Sequence, residues 1–156
     1  MPSTPRWRPV PIVLIVLVST ITLIANEPAQ TNQGLKWAGD LDAAWNSARE
    51  KQRPLLLFVT MDGCVHCQRM KLTTLRDKGV QHDLEKEFVP VTLNAKDKPE
   101  LVKRLRLRLF PTVVVIQPNG TVMESIMGYQ SPKQLREKLS ATLRQASRET
   151  SAATQR

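Results

Sequence analysis

The sequence predicts a single α/β domain behind an N-terminal apolar segment, and three observations carry that reading. A continuous apolar run, Leu55–Val59 (LLLFV), lies between Pro54 and the turn-forming Asp62-Gly63, as expected of a central strand buried on both faces. VVVIQ and TVMESI, separated by Pro118-Asn119-Gly120, form a β-hairpin signal. Apolar residues recur at helical spacing on either side, at Leu41, Ala44, Trp45 and Ala48 and again at Leu135, Leu139 and Leu143. With 156 residues and 41% hydrophobic composition, the chain has enough material for one core and not for two.

Charge and cysteine content narrow the function classes. A formal charge of +9 suits an acidic partner or an anionic surface, but aromatic content is only 4% and no nucleic-acid signature is present, so nucleic acid is not expected as a partner. The simplest account of the charge is a solvated basic surface. The only two cysteines, Cys64 and Cys67, exclude a multi-disulfide scaffold and leave a single redox pair or half of a metal site.

Taken in order, Met1–Pro9 carries Arg6 and Arg8 without an acid, and Val10–Ala25 is an uncharged apolar run whose only polar positions are Ser19, Thr20 and Thr22. Residues 1–25 therefore read as a signal peptide or signal anchor. Leu23 is not the small residue a cut after Ala25 would want, whereas the apolar run is shorter than the ~20 residues that span a bilayer, so cleavage and anchoring both stay open. In either case the arginines hold the N-terminus inside and the rest is delivered across the membrane. Residues 26–34 (NEPAQTNQG) are polar and aperiodic, a linker. Asp40 is placed to cap the first helix, with Arg49 and Lys51 suiting its C-terminal dipole.

Cys64-Val65-His66-Cys67 then sits on a strand-to-helix turn, with Cys64 near the helix N-terminus and Met70, Leu72 and Leu75 expected to face inward. Gly79 is expected to break this pattern, and 82–87 to form a short helical turn. Phe88–Leu93 (FVPVTL) reads as a second strand that Pro90 pushes toward a sheet edge. Residues 100–106 read as helix, with Pro99 acceptable in the first turn. Between Lys103 and Leu109 basic and apolar residues alternate, which suits either a surface for acidic partners or, by default, a solvated edge. Gly128-Tyr129 closes the hairpin, and Ser131-Pro132-Lys133-Gln134 has the capping-box pattern opening a terminal helix. The small, polar residues 146–156 are expected to be a disordered tail. No internal repeat is visible.

The cysteine pair admits several chemistries. Covalent haem attachment wants histidine at position 68, which is Gln68. Zinc needs four ligands, and the chain offers Cys64 and Cys67 with His66 or His82 but no second pair. A purely structural bridge closing so short a loop would stabilise the fold little. Disulfide exchange fits best: unpaired N–H groups and the partial positive charge at a helix N-terminus favour a thiolate at Cys64, and His66 would favour it further. Cys64 is then the exposed nucleophile and Cys67 the resolving thiol.

The order strand, C-x-x-C, helix, strand, helix, aromatic-Pro-Thr, hairpin, Gly, terminal helix resembles the thioredoxin superfamily over about residues 35–145. The most specific elements are Gly63-Cys64-Val65-His66-Cys67 and Phe110-Pro111-Thr112. The resemblance implies a three-layer thioredoxin-like fold with a central mixed sheet flanked by helices. It also implies that Pro111 is cis and lies beside the disulfide, where it keeps the cysteines from capturing metal, and that the Phe110 backbone pairs with an extended substrate segment. Two departures matter. Many thioredoxins carry a buried aspartate six residues before the first cysteine, where this chain has Phe58, and Gly-Pro between the cysteines, where this chain has Val65-His66. Histidine beside the second cysteine is similar to the oxidising periplasmic enzymes of the DsbA type, and a stabilised thiolate makes the disulfide a stronger oxidant, leaning toward oxidase or isomerase chemistry. The chain lacks the helical insertion of those oxidases, and its size is closer to a minimal thioredoxin or to the soluble domains of membrane thiol reductases.

The expectation is therefore a thioredoxin-like domain at 35–145, exported to the periplasm or another extracytoplasmic space and attached to the membrane if residues 10–25 are retained. It acts as a monomeric thiol-disulfide oxidoreductase on protein thiols, with a redox partner protein and without cofactor or metal. Its site residues are Cys64, Cys67 and His66, with Phe110 and Pro111 aligning substrate. The alternative is a non-catalytic thioredoxin-like module that binds a partner or a metal such as copper or zinc.

Overall fold

The computed structural model describes residues 35–154; the predicted export segment and linker lie outside the described residues. Within it, no helix is long and apolar enough to cross a membrane. The first helix, α1 (Leu41–Lys51), starts where expected, with the Asp40 carboxylate accepting from the Ala43 N–H at 2.8 Å. It ends as Gln52 turns into the left-handed region at φ 51°. Ala44 and Ala48 are buried, and Leu41 and Trp45 pack beside them.

Strand β1 (Leu55–Thr60) follows, and all its residues are buried. It lies inside a four-stranded mixed sheet of order β2-β1-β3-β4. β2 (Val89–Asn94) runs parallel to it on one side; on the other, β3 (Thr112–Ile116) runs antiparallel and is followed by β4 (Val122–Met127). Alternation along β1 divides the core into two layers. Leu56 and Phe58 join Met70, Val80, Leu84, Leu135 and Leu139 on one face, while Leu55, Leu57 and Val59 join Ala44, Ala48 and Val91 on the other. Pro90 lies in an edge strand, as its missing N–H requires, and its carbonyl accepts from the Ala38 N–H at 2.9 Å.

The remaining helices are α2 (Val65–Leu72), α3 (Lys78–Glu87), α4 (Pro99–Arg104) and α5 (Pro132–Thr154), and a 3-10 turn at Thr74–Arg76 joins α2 to α3. The predicted capping box forms: the Gln134 side chain accepts from the Ser131 N–H at 2.9 Å, and the Gln134 N–H reaches the Ser131 hydroxyl at 3.4 Å.

Several expectations are corrected. Leu72 is 57% exposed while Met70 and Leu75 are buried, because two residues along a helix is nearly its opposite face. Gly79 does not break the chain but lies in the first turn of α3, which Asp77 caps by accepting from the Val80 N–H at 3.0 Å. Its bare Cα admits a neighbour: a Cβ there would come within 2.9 Å of the Arg136 guanidinium, whose Nε donates to Asp83 at 2.6 Å. α4 is shorter than predicted, ending before Arg106 adopts φ 53°. The stretch 146–154, expected to be disordered, continues α5. Gln145 donates to Glu149 at 3.0 Å one turn on, the Ser147 and Ser151 hydroxyls donate to carbonyls one turn back, and alanine, arginine and glutamate favour helix.

Phe58 ties the sheet to its α2–α3–α5 side, fully buried and edge-on to Trp37 with ring centroids 6.3 Å apart. Phe58→Ala is expected to lower stability by roughly 3–5 kcal/mol, as read by urea denaturation of the full chain.

Candidate redox site

The site follows from strand register. Thr60 of β1 is level with Asn94 of parallel β2, and Val59 with Thr112 of antiparallel β3. The exit from β1, the exit from β2 and the entry to β3 therefore share one end of the sheet. The turn Met61-Asp62-Gly63 leaves β1 there, with Gly63 at φ 70°, a conformation natural to glycine, and delivers Cys64 as N-cap of α2.

Cys64 and Cys67 are joined in a disulfide, their Cα atoms 5.2 Å apart, and the Cys64 sulfur accepts from the Cys67 N–H at 3.1 Å. Cys64 is half-buried and Cys67 fully buried. One sulfur is thus partly exposed, with the Cys67 N–H directed at it, and the other is enclosed. His66 is exposed in the first turn of α2, and Val65 beside it is 76% exposed. Phe58, at the position where the resemblance has an aspartate, is enclosed by the apolar core. His82 lies exposed on α3. Among the described residues no group of three or more His, Cys, Asp or Glu side chains is gathered that could hold a metal ion.

The Phe110–Pro111 bond is cis, as the resemblance implies, and Pro111 is buried at the entry to β3. Its neighbours' polar groups are used unevenly. The Pro111 carbonyl accepts from the Gly128 N–H at 2.7 Å, and the Leu109 carbonyl accepts from the Thr112 hydroxyl at 2.6 Å. Neither the N–H nor the C=O of half-buried Phe110 is hydrogen-bonded to any described residue.

Sequence reasoning missed two contributors. The Asp62 carboxylate, two residues before Cys64, accepts from the Asn94 side-chain amide at 2.6 Å and from the Lys96 ammonium at 2.5 Å, tying the cysteine turn to the exit of β2. Lys96 chiefly, and Asn94 next, hold the Asp62 carboxyl below its ordinary value. Behind α2, the Arg69 guanidinium lies 4.4 Å from the centre of the Tyr129 ring, and the Tyr129 hydroxyl is 3.3 Å from that of Thr73. In both groups the partners are far apart in sequence and meet only in the folded chain, so no local pattern announces them.

A groove of about 810 Å³ has Asp83, Phe88, Arg136 and Leu139 in its lining and neither cysteine. Cys64 lies half-buried at the end of the sheet where β1 exits.

Residues 41–143 match the thioredoxin-like domain family, and the chain belongs to that family. Fold and bonded C-x-x-C pair together define a thiol-disulfide oxidoreductase. Solved structures of similar fold include a thioredoxin from Thermus thermophilus (23% identity, TM-score 0.64, covering 70% of this chain and 88% of that one). A DsbH oxidoreductase follows at 20% identity and TM-score 0.59, covering 71% and 85%. The C-terminal domain of Neisseria meningitidis DsbD in its reduced form shares 24% identity at TM-score 0.57, covering 65% and 92%. At these identities the likeness is one of fold. No curated protein is significantly similar in sequence.

The Asp62 tie carries a pH signature. A carboxyl whose folded value is depressed contributes order that is present above its unfolded value and lost as pH falls through the folded one. Carboxyl NMR is therefore expected to show Asp62 titrating below the ordinary aspartate range, with Lys96→Met moving the midpoint up toward it.

Proposed function

We propose that this chain exchanges disulfides with cysteines of other proteins outside the cytoplasm, with Cys64 as nucleophile and Cys67 as resolving thiol. In the reducing direction the Cys64 thiolate attacks one sulfur of a substrate disulfide. A mixed disulfide forms, and the second substrate sulfur leaves as a thiolate that takes up a proton. The Cys67 thiolate then attacks the Cys64 sulfur, closing the Cys64–Cys67 bond and releasing the reduced substrate, two electrons having passed from the pair to the substrate. The same steps reversed oxidise a substrate dithiol. The observation that carries this reading is the asymmetry of the bonded pair, one sulfur partly open at a helix N-terminus and the other enclosed.

Phe110 and Pro111 supply the alignment. The unused N–H and C=O of Phe110 suit one extended residue of a substrate chain, added alongside the entry to β3 in β-augmentation fashion. His66 supplies the bias: a protonated imidazole beside Cys64 stabilises the thiolate, which favours the reduced pair and makes the disulfide more oxidising. The extracytoplasmic location, with membrane attachment if residues 10–25 are retained, is supported by the arginine-flanked apolar run at 1–25, and bonded cysteines are at home in such compartments.

Equilibrating the full chain in graded glutathione buffers is expected to give a reversible two-electron titration of Cys64 and Cys67; its absence would leave a non-catalytic partner-binding module. Cys67→Ser is expected to trap a Cys64 mixed disulfide with thiol substrates, detectable by mass spectrometry, and to abolish turnover. His66→Ala is expected to raise the Cys64 pKa and make the pair less oxidising. An alkylation-versus-pH curve unchanged by that substitution would mean that the helix terminus alone sets the thiolate.

A further inference from the structure

The alternating run 103–109 acquires a place in the fold. Because β2 exits and β3 enters at the redox end of the sheet, the connection through residues 95–111 leaves from that end and returns to it. Its apolar members turn inward: Leu107 is buried, and Leu101, Val102, Leu105 and Phe110 pack on the α1-side core. Its basic members are thereby turned outward, and Lys103, Arg104, Arg106 and Arg108 are all exposed. Among the described residues none of these four forms an ion pair, and no acidic residue lies between them in the chain. The run leads directly into Leu109, which is 59% exposed, and then into Phe110 and cis-Pro111. Two further exposed apolar side chains, Met61 and Met127, flank the same end of β1 and β4.

We propose that this basic crossover is the selectivity surface of the redox site, taking protein partners whose reactive cysteine segment is flanked by acidic residues. The inference rests on the oxidoreductase reading above and adds the class of partner. An incoming chain that lies along Phe110 would pass the segment that leads into it, where acidic side chains next to its cysteine would meet exposed cations and its apolar residues Leu109. Charges held within about 8 Å of a partner act at physiological salt and steer encounter at longer range when salt is low. An anionic membrane would meet the same charges but would not need them beside the substrate-aligning backbone, which is why a protein partner is favoured.

The test uses the full chain in an uncharged detergent and two synthetic peptides with the same cysteine pair, one flanked by aspartates and one by lysines. At low salt the acidic peptide is expected to exchange about tenfold faster, with the gap closing as salt is added. Replacing Lys103, Arg104, Arg106 and Arg108 with Gln is expected to abolish the gap. Replacing Lys51, Arg53 and Lys86 with Gln, at the opposite end of the sheet, is expected to keep it. Equal rates for the two peptides, a gap that survives the fourfold replacement, or a gap lost as fully in the control would overturn the proposal. So would a fourfold variant that keeps its peptide preference but loses the extra binding that phosphatidylglycerol adds to phosphatidylcholine vesicles, which would make the run a membrane contact. The glutathione titration separates the two levels: a pair that titrates reversibly while the peptides react alike sinks this inference alone, and a pair that does not titrate sinks the redox reading beneath it.

Discussion

The structure depends on one strand being buried on both faces and paired on both edges. Every residue of β1 is enclosed, and burying side chains such as Leu55, Leu56, Leu57 and Phe58 is worth roughly 1.5–3 kcal/mol each. A slip of one residue would exchange the two faces, sending Phe58 from the α3–α5 layer into the α1 layer, so the register is tightly specified. With that register set, a parallel neighbour and an antiparallel neighbour bring the exit of β2 and the entry of β3 to where β1 hands over to Cys64. The meeting of a C-x-x-C turn, a cis-proline and a basic crossover is thus a consequence of how one apolar run is paired.

That logic separates what was legible in the sequence from what was not. Signals confined to a few neighbouring residues were readable: Asp40 and the Ser131/Gln134 box fix helix starts, LLLFV reads as a central strand, and Pro90 belongs at an edge. The cysteine pair and Phe110-Pro111-Thr112 were legible as a pair of motifs at a characteristic separation. Gly79 reads locally as punctuation, whereas in the fold it makes room for Arg136, far along the chain. The tie from Asp62 to Asn94 and Lys96 was invisible for the same reason, since it exists only after β1 and β2 pair. Residues 146–154 are small and polar, which reads as a disordered tail, but their helix is held by one-turn side-chain bonds that require no core.

The two sides of the disulfide differ in kind. Toward the interior, Phe58 and Met70 give the α2 layer an apolar character, and Phe58 stands where the resemblance has an aspartate. Toward solvent lie the N-terminus of α2, His66 and the Asp62–Lys96 pair, all of them polar and exposed. The polar and charged groups near the pair in the chain are therefore concentrated on its solvent side.

The crossover between β2 and β3 shows how one pattern can serve folding and recognition together. Leu101, Val102, Leu105 and Leu107 close the α1-side core, and geometry then leaves Lys103, Arg104, Arg106 and Arg108 no place but the surface. Arg106 enters the left-handed region just after α4 ends, turning the chain toward Leu109 and Phe110. A solvated edge would satisfy the same alternation with cations and acids mixed, as on α3, where Lys78 and Lys86 are interspersed with Asp83, Glu85 and Glu87. Here the outward positions from 103 to 108 carry a single sign. They lead directly into Phe110, whose backbone N–H and C=O are hydrogen-bonded to no described residue.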